Sequence, residues 1–149
     1  MNMKKPLSAR VYLEQLALID EQINQDIERL EEMKQSARST GSFDYSLERV
    51  QTSPVGDKLC SDVTRYVTLD EQINREIDSF VDAKEQIIRE IRGLHSADYV
   101  KVLYKVYVQF KTIKDTAYEI QRSYKYTLDV HKKALKAFEE MYPDLQYLT

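Results

Sequence analysis

DYVKVLYKVYVQFKTIKDTAYEIQRSYKYTLDVHKKALKAF, Asp98 to Phe138, is the stretch whose reading decides the fold. Its spacing predicts three helices with tight corners. From Tyr99 to Val108, the apolar residues Val100, Leu103, Tyr104, Tyr107 and Val108 recur at helical intervals. Phe110 and Lys111 make a short corner. The Thr112 hydroxyl can then accept an otherwise orphan backbone N–H, as the N-cap of a helix of about two turns ending near Ile120. Gln121 and Arg122 form the next turn, and Ser123 caps a longer helix that runs to about Glu140. A short helix, a turn of about three residues and a second helix is the helix-turn-helix plan, whose second helix enters the DNA major groove.

Outward from this stretch lie two long helices. Ser8 can cap the first, expected to run to about Ala37 with Tyr12, Leu16, Ile19, Ile23, Ile27, Leu30 and Met33 at spacings of three and four. About 28 residues at 1.5 Å each would span about 42 Å, too long for one small globule to cover without a partner helix. Arg38 to Pro54 reads as a loop, with a possible helical turn over Tyr45 to Val50. Ser53-Pro54 resembles an N-cap followed by proline at the first helical position. The second long helix, Pro54 to Arg92, carries Val63, Tyr66, Leu69, Ile73, Ile77, Phe80, Ile87 and Ile91. Gly93 is placed to take a left-handed position after it, with Leu94 packing back, and Ser96 caps the next helix.

The two long helices are near-repeats. Ile19 to Gln35 aligns with Leu69 to Glu85 with seven identities in seventeen, centred on DEQIN. Matching stripes on consecutive helices predict an antiparallel hairpin. Its seam residues Leu16, Ile23, Ile27, Leu30, Ile73, Ile77 and Phe80 are candidates for dimerisation, with a coiled-coil spacer as the plainer reading. Asp26 and Glu76 occupy equivalent positions at the seam edge and are expected to be exposed or paired. The expected architecture is all-α: a helical hairpin over residues 1–95, with its loop at 38–53, and a helix-turn-helix head over 96–149.

Several residues carry a resemblance to a known family: Val102-Leu103-Tyr104, Tyr107, Gln109, Lys111, Ala117, Glu119, Ser123-Tyr124, His131 and Ala134-Leu135. Upstream, YLEQL (Tyr12 to Leu16), VQTS (Val50 to Ser53) and DEQIN (Asp70 to Asn74) extend it over nearly the whole chain. The chain resembles small phage and prophage proteins of Gram-positive bacteria related to the ArpU and RinA late-transcription regulators. More distantly, it is similar to region 4 of bacterial sigma factors. The resemblance implies promoter or operator binding by the last long helix. Phe110 and Gln121 stand where that family usually has glycine, Thr116 replaces a larger apolar residue, and Asp129 stands where a basic one is expected. These departures bear on DNA binding more than on the fold.

The chain has 149 residues, 32% of them charged and 42% hydrophobic, with three glycines, three prolines and no tryptophan. That composition suits a soluble helical protein. MNMKKPL has no apolar stretch behind its lysines and no run approaches membrane-spanning length, so the expected location is the cytoplasm of a bacterial host, without a membrane partner. Cys60 is the single cysteine, read as a buried structural thiol, and with two histidines no metal cluster is expected. No cofactor and no enzymatic activity are expected either, since glycine-rich phosphate loops and nucleophile elbows are missing. Residues 1–95 hold 13 basic and 18 acidic residues, a net −5, whereas residues 96–149 hold 9 and 7, a net +2. A basic end on an acidic body suits phosphate contact.

In the proposed recognition helix, Thr127, Val130 or His131, Ala134 and Phe138 recur at core spacing. That leaves Lys125, Tyr126, Leu128, Asp129, Lys132, Lys133 and Lys136 nearer the exposed side. Lys125 and Tyr126 are placed to reach base edges, Lys132, Lys133 and Lys136 fit phosphates, and Leu128 could meet a thymine methyl or a protein. His131 is read as structural, and His95 as a helix-end hydrogen-bonding group. Of eleven tyrosines, Tyr99, Tyr104, Tyr107, Tyr118, Tyr124 and Tyr126 lie on the head, where such rings more often form core than stack on bases. The tail MYPDLQYLT, from Met141, is apolar enough to fold back on the head or dock on a partner. The expected partners are DNA, a second copy of the chain, and RNA polymerase or another phage or host protein. A non-enzymatic interaction module is the alternative function.

Overall fold

The computed structural model describes the backbone of residues 4–44 and 53–148, and the side chains of residues 4–38, 61 and 63–148. The fold is all-α, with no strand among the described residues. Helices α1 (Ala9–Asp44) and α2 (Ser53–Arg92) are long; α3 (Ala97–Leu103) continues into a π-helical turn, Tyr104–Val108; α4 (Ile113–Ile120) and α5 (Tyr124–Met141) follow. No helix among the described residues is long and apolar enough to cross a membrane.

Helices α1 and α2 form an antiparallel hairpin. Tyr12, early in α1, donates its hydroxyl proton to Glu90, late in α2, and Leu30 packs with Leu69 and Ile73. The contacts divide the chain elsewhere than at residue 95. One compact unit comprises residues 1–20 and 79–149, and the other residues 21–78. The reason lies in the buried stripes. Tyr12, Leu13 and Leu16 of α1, and Ala83, Ile87 and Ile91 of α2, share a core with Leu103, Tyr107, Val108, Ala134 and Phe138. The two ends of the hairpin that meet at its base are therefore part of the first unit.

In that first unit α3 and α4 both pack on α5. The Tyr12 and Phe138 ring centroids are 5.9 Å apart, and Phe138 and Tyr142 are 4.9 Å apart. The C-terminal tail folds back: Leu145 is buried, its carbonyl accepts from Leu7 N–H at 2.8 Å, and Leu148 N–H donates to Gln15 Oε1 at 3.0 Å. The Gln15 Nε2 in turn donates to the Tyr12 carbonyl, so this buried amide is satisfied at both ends. The second unit has a thinner core of Leu30, Leu69 and Ile73, with Met33 and Tyr66 packed against it. Asp26 pairs with Arg29 at 3.3 Å. The Glu76 Oε1 accepts from Gln72, while its buried Oε2 has no partner among the described residues.

Several expectations need correction. Helix α1 does not stop near Ala37: it runs to Asp44, through Gly41. Ala37 is still buried at the interval set by Leu30, and one glycine in a helix costs only about 1 kcal/mol, which a partnered helix tolerates. The expected loop 38–53 thus loses its first residues to the helix, and its remainder, with the turn expected over Tyr45 to Val50, lies outside the described residues. So do the side chains of Ser53 and Cys60. The helix expected from Tyr99 to Val108 is α-helical only to Leu103 and then widens, with Gln109 N–H bonded back to the Tyr104 carbonyl; through the wider turn Tyr107 and Val108 both reach the core.

Gly93 is not left-handed, because no glycine among the described residues has positive φ. Its bareness serves a close approach instead. A Cβ there would lie 2.6 Å from the Tyr142 hydroxyl, which donates to the Glu90 carbonyl at 2.9 Å.

The proposed dimerisation seam is largely consumed within the chain. Leu16, Ile23, Leu30 and Ile73 are buried, and Phe80 packs on the first unit's core. Only Ile27 and Ile77 remain exposed, at 44% and 38%.

Candidate nucleic-acid interface

The surface at issue is built by two helix caps and one left-handed residue. Thr112 caps α4, its hydroxyl accepting from Asp115 N–H at 3.0 Å, and its carbonyl accepts from the Thr116 hydroxyl at 2.8 Å. Thr116 is fully buried, and that bond satisfies the polar atom it brings into an otherwise apolar position. Ser123 repeats the device on α5. Its hydroxyl accepts from Tyr126 N–H at 3.1 Å, and its carbonyl from the Thr127 hydroxyl at 2.9 Å.

Between the caps, Gln121 sits at φ 58, ψ 45. Arg122 N–H reaches the Ala117 carbonyl and Gln121 N–H the Tyr118 carbonyl, the paired bonds of a Schellman motif. Phe110, at the preceding corner, also has φ 58. Phe110 and Gln121 are thus the two non-glycine residues with positive φ among the described residues.

Helix α5 buries Thr127, Val130, His131, Ala134 and Phe138, as the spacing predicted. Lys125, Tyr126, Asp129, Lys132, Lys133 and Lys136 are exposed and Leu128 is half-buried. Ser123, Lys125, Tyr126, Leu128, Asp129 and Lys132 line one shallow depression. Within this set the charges are not equivalent. Lys133 pairs with Asp129 at 3.0 Å, and that hydrogen bond holds its ammonium above the usual lysine range. Lys125, Lys132 and Lys136 engage no carboxylate among the described residues.

Tyr126 is tied in place. Its hydroxyl donates to Asp98 Oδ2 at 3.0 Å, a bond that raises the phenol above its ordinary range. The Arg122 guanidinium lies 5.2 Å from its ring centroid. Sequence reasoning gave Arg122 to the turn alone; its position four residues before Tyr126 was the available signal, but Asp98 could not be placed beside them without the fold. Lys105 and Lys111 are drawn off to Glu119, whose carboxyl is held below the usual range chiefly by the Lys111 hydrogen bond.

His131 faces inward, with Nε2 2.7 Å from the Tyr107 hydroxyl, and plays the structural part expected of it. Comparison with protein-family models, with characterised proteins and with solved structures returns no match for this chain.

Proposed function

We propose that the chain is a phage-type transcriptional regulator that binds promoter or operator DNA through α5. The observation that carries this reading is the outward row of Lys125, Lys132 and Lys136, none of them paired with a carboxylate among the described residues, on a helix whose inner face is fully committed to the core. The capped turn at Gln121 supports it, since α4 and α5 then follow the helix-turn-helix plan. Lys125 and Tyr126 at the start of α5 are the base-edge candidates, and Lys132, Lys133 and Lys136 the phosphate contacts. The experiment is selection of bound fragments from the genome that encodes the chain, followed by salt titration of the best one. A DNA reader loses affinity with salt at a slope of about −0.9 per phosphate neutralised. Failure to bind any fragment better than bulk DNA at near-physiological salt refutes the proposal.

A second reading has its own support. Asp129 lies within the lysine face and Tyr126 is already held by Asp98, a mixed surface with Leu128 at its centre that suits a protein partner such as RNA polymerase or a repressor. On that reading Leu128 and Tyr126 are the anchors and the lysines mainly set the association rate.

A further inference from the structure

Arg122, in the turn between α4 and α5, is held at both its backbone and its side chain. Its N–H bonds to the Ala117 carbonyl at 3.0 Å, inside the motif closed by left-handed Gln121. Its guanidinium lies over the Tyr126 ring, 5.2 Å from the centroid, within the range of a cation–π contact. Tyr126 is itself anchored, because its hydroxyl donates at 3.0 Å to Asp98 of α3. Helix α3, the turn and α5 thus jointly set where one exposed guanidinium sits. The same ring lines the shallow depression of α5, with Lys125, Leu128 and Asp129.

That arrangement suits a base edge better than a phosphate. A phosphate contact needs charge more than orientation, and a flexible lysine supplies it. Two carboxylates also stand near Tyr126: Asp98 at its hydroxyl and Asp129 in the depression. Both oppose a phosphate at this end of the surface. A ring face accepts no conventional hydrogen bond, so contact with it leaves the donors of the guanidinium uncommitted. Arg122 forms no ion pair among the described residues. Two parallel donors of a guanidinium fork match the O6 and N7 acceptors of guanine, whereas adenine offers an acceptor beside a donor.

We infer that Arg122 is a specificity-determining residue of this surface, reading guanine in the major groove, with Tyr126 and Asp98 as its positioning residues. This role rests on the DNA reading of α5 and divides the labour within it. Lys132 and Lys136 set how tightly any DNA is held, and Arg122 sets which DNA is preferred.

The test takes the best fragment selected by the full chain and replaces each of its base pairs in turn. The parent should show a G·C position whose replacement costs about 10-fold or more. In Arg122→Ala that position should become nearly indifferent, with the penalties elsewhere retained. Arg122→Lys keeps the charge and therefore the salt slope, but lacks the fork and should recover little of the preference. Tyr126→Phe keeps the ring and loses the bond to Asp98, so it should lower the penalty at the same position by about 3-fold. Asp98→Ala should repeat that effect, and Asp98→Asn, which keeps an acceptor, should not. All three side chains are exposed, so the helical circular-dichroism signal should hold throughout. A salt slope shallower by about 0.9 in Arg122→Ala, with equal losses at every position, would make Arg122 a phosphate contact and overturn the inference. Full recovery by lysine, or a profile unmoved in both Arg122 variants, would overturn it too. An effect of Arg122 without any of Tyr126→Phe and Asp98→Ala would overturn the positioning roles. If the parent prefers no fragment over bulk DNA, the DNA reading itself falls and takes this role with it.

Discussion

The Tyr107 hydroxyl and His131 Nε2 lie 2.7 Å apart in the buried interior, their rings stacked at 5.6 Å between centroids. One residue comes from the π-helical turn and the other from α5, so the pair fastens that turn to the helix with the lysine face. Burial lowers the histidine's proton affinity, and the positive charge of Arg10 lowers it further. Burial also raises the Tyr107 phenol. The pair is therefore neutral at ordinary pH, and His131 Nδ1 has no hydrogen-bond partner among the described residues.

A pH dependence follows from the direction of the histidine shift. Below about pH 6.5 an unfolded chain takes up a proton at this imidazole, whereas the folded chain does not until the pH is lower. Unfolding then binds a proton, and stability falls as pH falls from neutral through that window. His131→Gln should flatten this part of the curve, measured as the urea midpoint at steps between pH 7.5 and 5. An equal decline in both proteins would assign the loss to carboxylates instead.

Gln121 gives a second expectation. An L-residue in the left-handed region costs roughly 1 kcal/mol relative to glycine, so at φ 58 the change Gln121→Gly should raise the unfolding free energy by up to about that amount. Gln121→Val should lower it, because a β-branched side chain tolerates this region worst. The sign of the pair is the check. Phe110→Gly gains the same relief, but it removes a partly covered side chain, since Phe110 is 42% exposed, and its net effect should be smaller.

What the sequence made legible was local. Thr112, Ser123 and Ser96 cap their helices as expected, because a cap needs only a hydroxyl and the N–H groups two or three residues on. The core stripe of α5 and the pairing of the two long helices follow from spacing alone. What was missed depends on residues distant in sequence. Leu16 reads as hairpin seam, but packs in the same core as Phe138. For that reason the compact units divide within the two long helices rather than between body and head, and the Tyr126–Asp98 bond was invisible until α3 was laid against α5.

Gly93 illustrates the same limit and can be tested by a cycle. Gly93→Ala would place a methyl 2.6 Å from the Tyr142 hydroxyl and 3.2 Å from the Glu90 carbonyl. It should displace Tyr142 and break that tyrosine's bond to Glu90. Tyr142→Phe alone loses one hydrogen bond, about 1 kcal/mol. In the Tyr142→Phe background the alanine should cost less than in the parent chain, a coupling of about 0.5–1 kcal/mol in denaturant titrations. Additive losses would mean that the Glu90 carbonyl, not Tyr142, is the obstacle.

The ion pair between Asp129 and Lys133 bears most directly on function. Asp129 both places a negative charge on the lysine face and holds one of the three proposed phosphate contacts at 3.0 Å. On the DNA reading, Lys132→Ala and Lys136→Ala should each flatten the salt dependence of binding by about 0.9, one phosphate apiece. Lys133→Ala should do less, because its charge is already met. Asp129→Asn frees Lys133 and removes the repulsion, so it should tighten binding and steepen the slope by up to about one phosphate. A protein-binding head responds otherwise: Leu128→Ala abolishes binding, while Asp129→Asn leaves the salt slope where it was. Measured across a salt series on whichever partner is captured, a selected DNA fragment or a protein, the Asp129→Asn slope checks the assignment, since only a polyanion makes the freed lysine count.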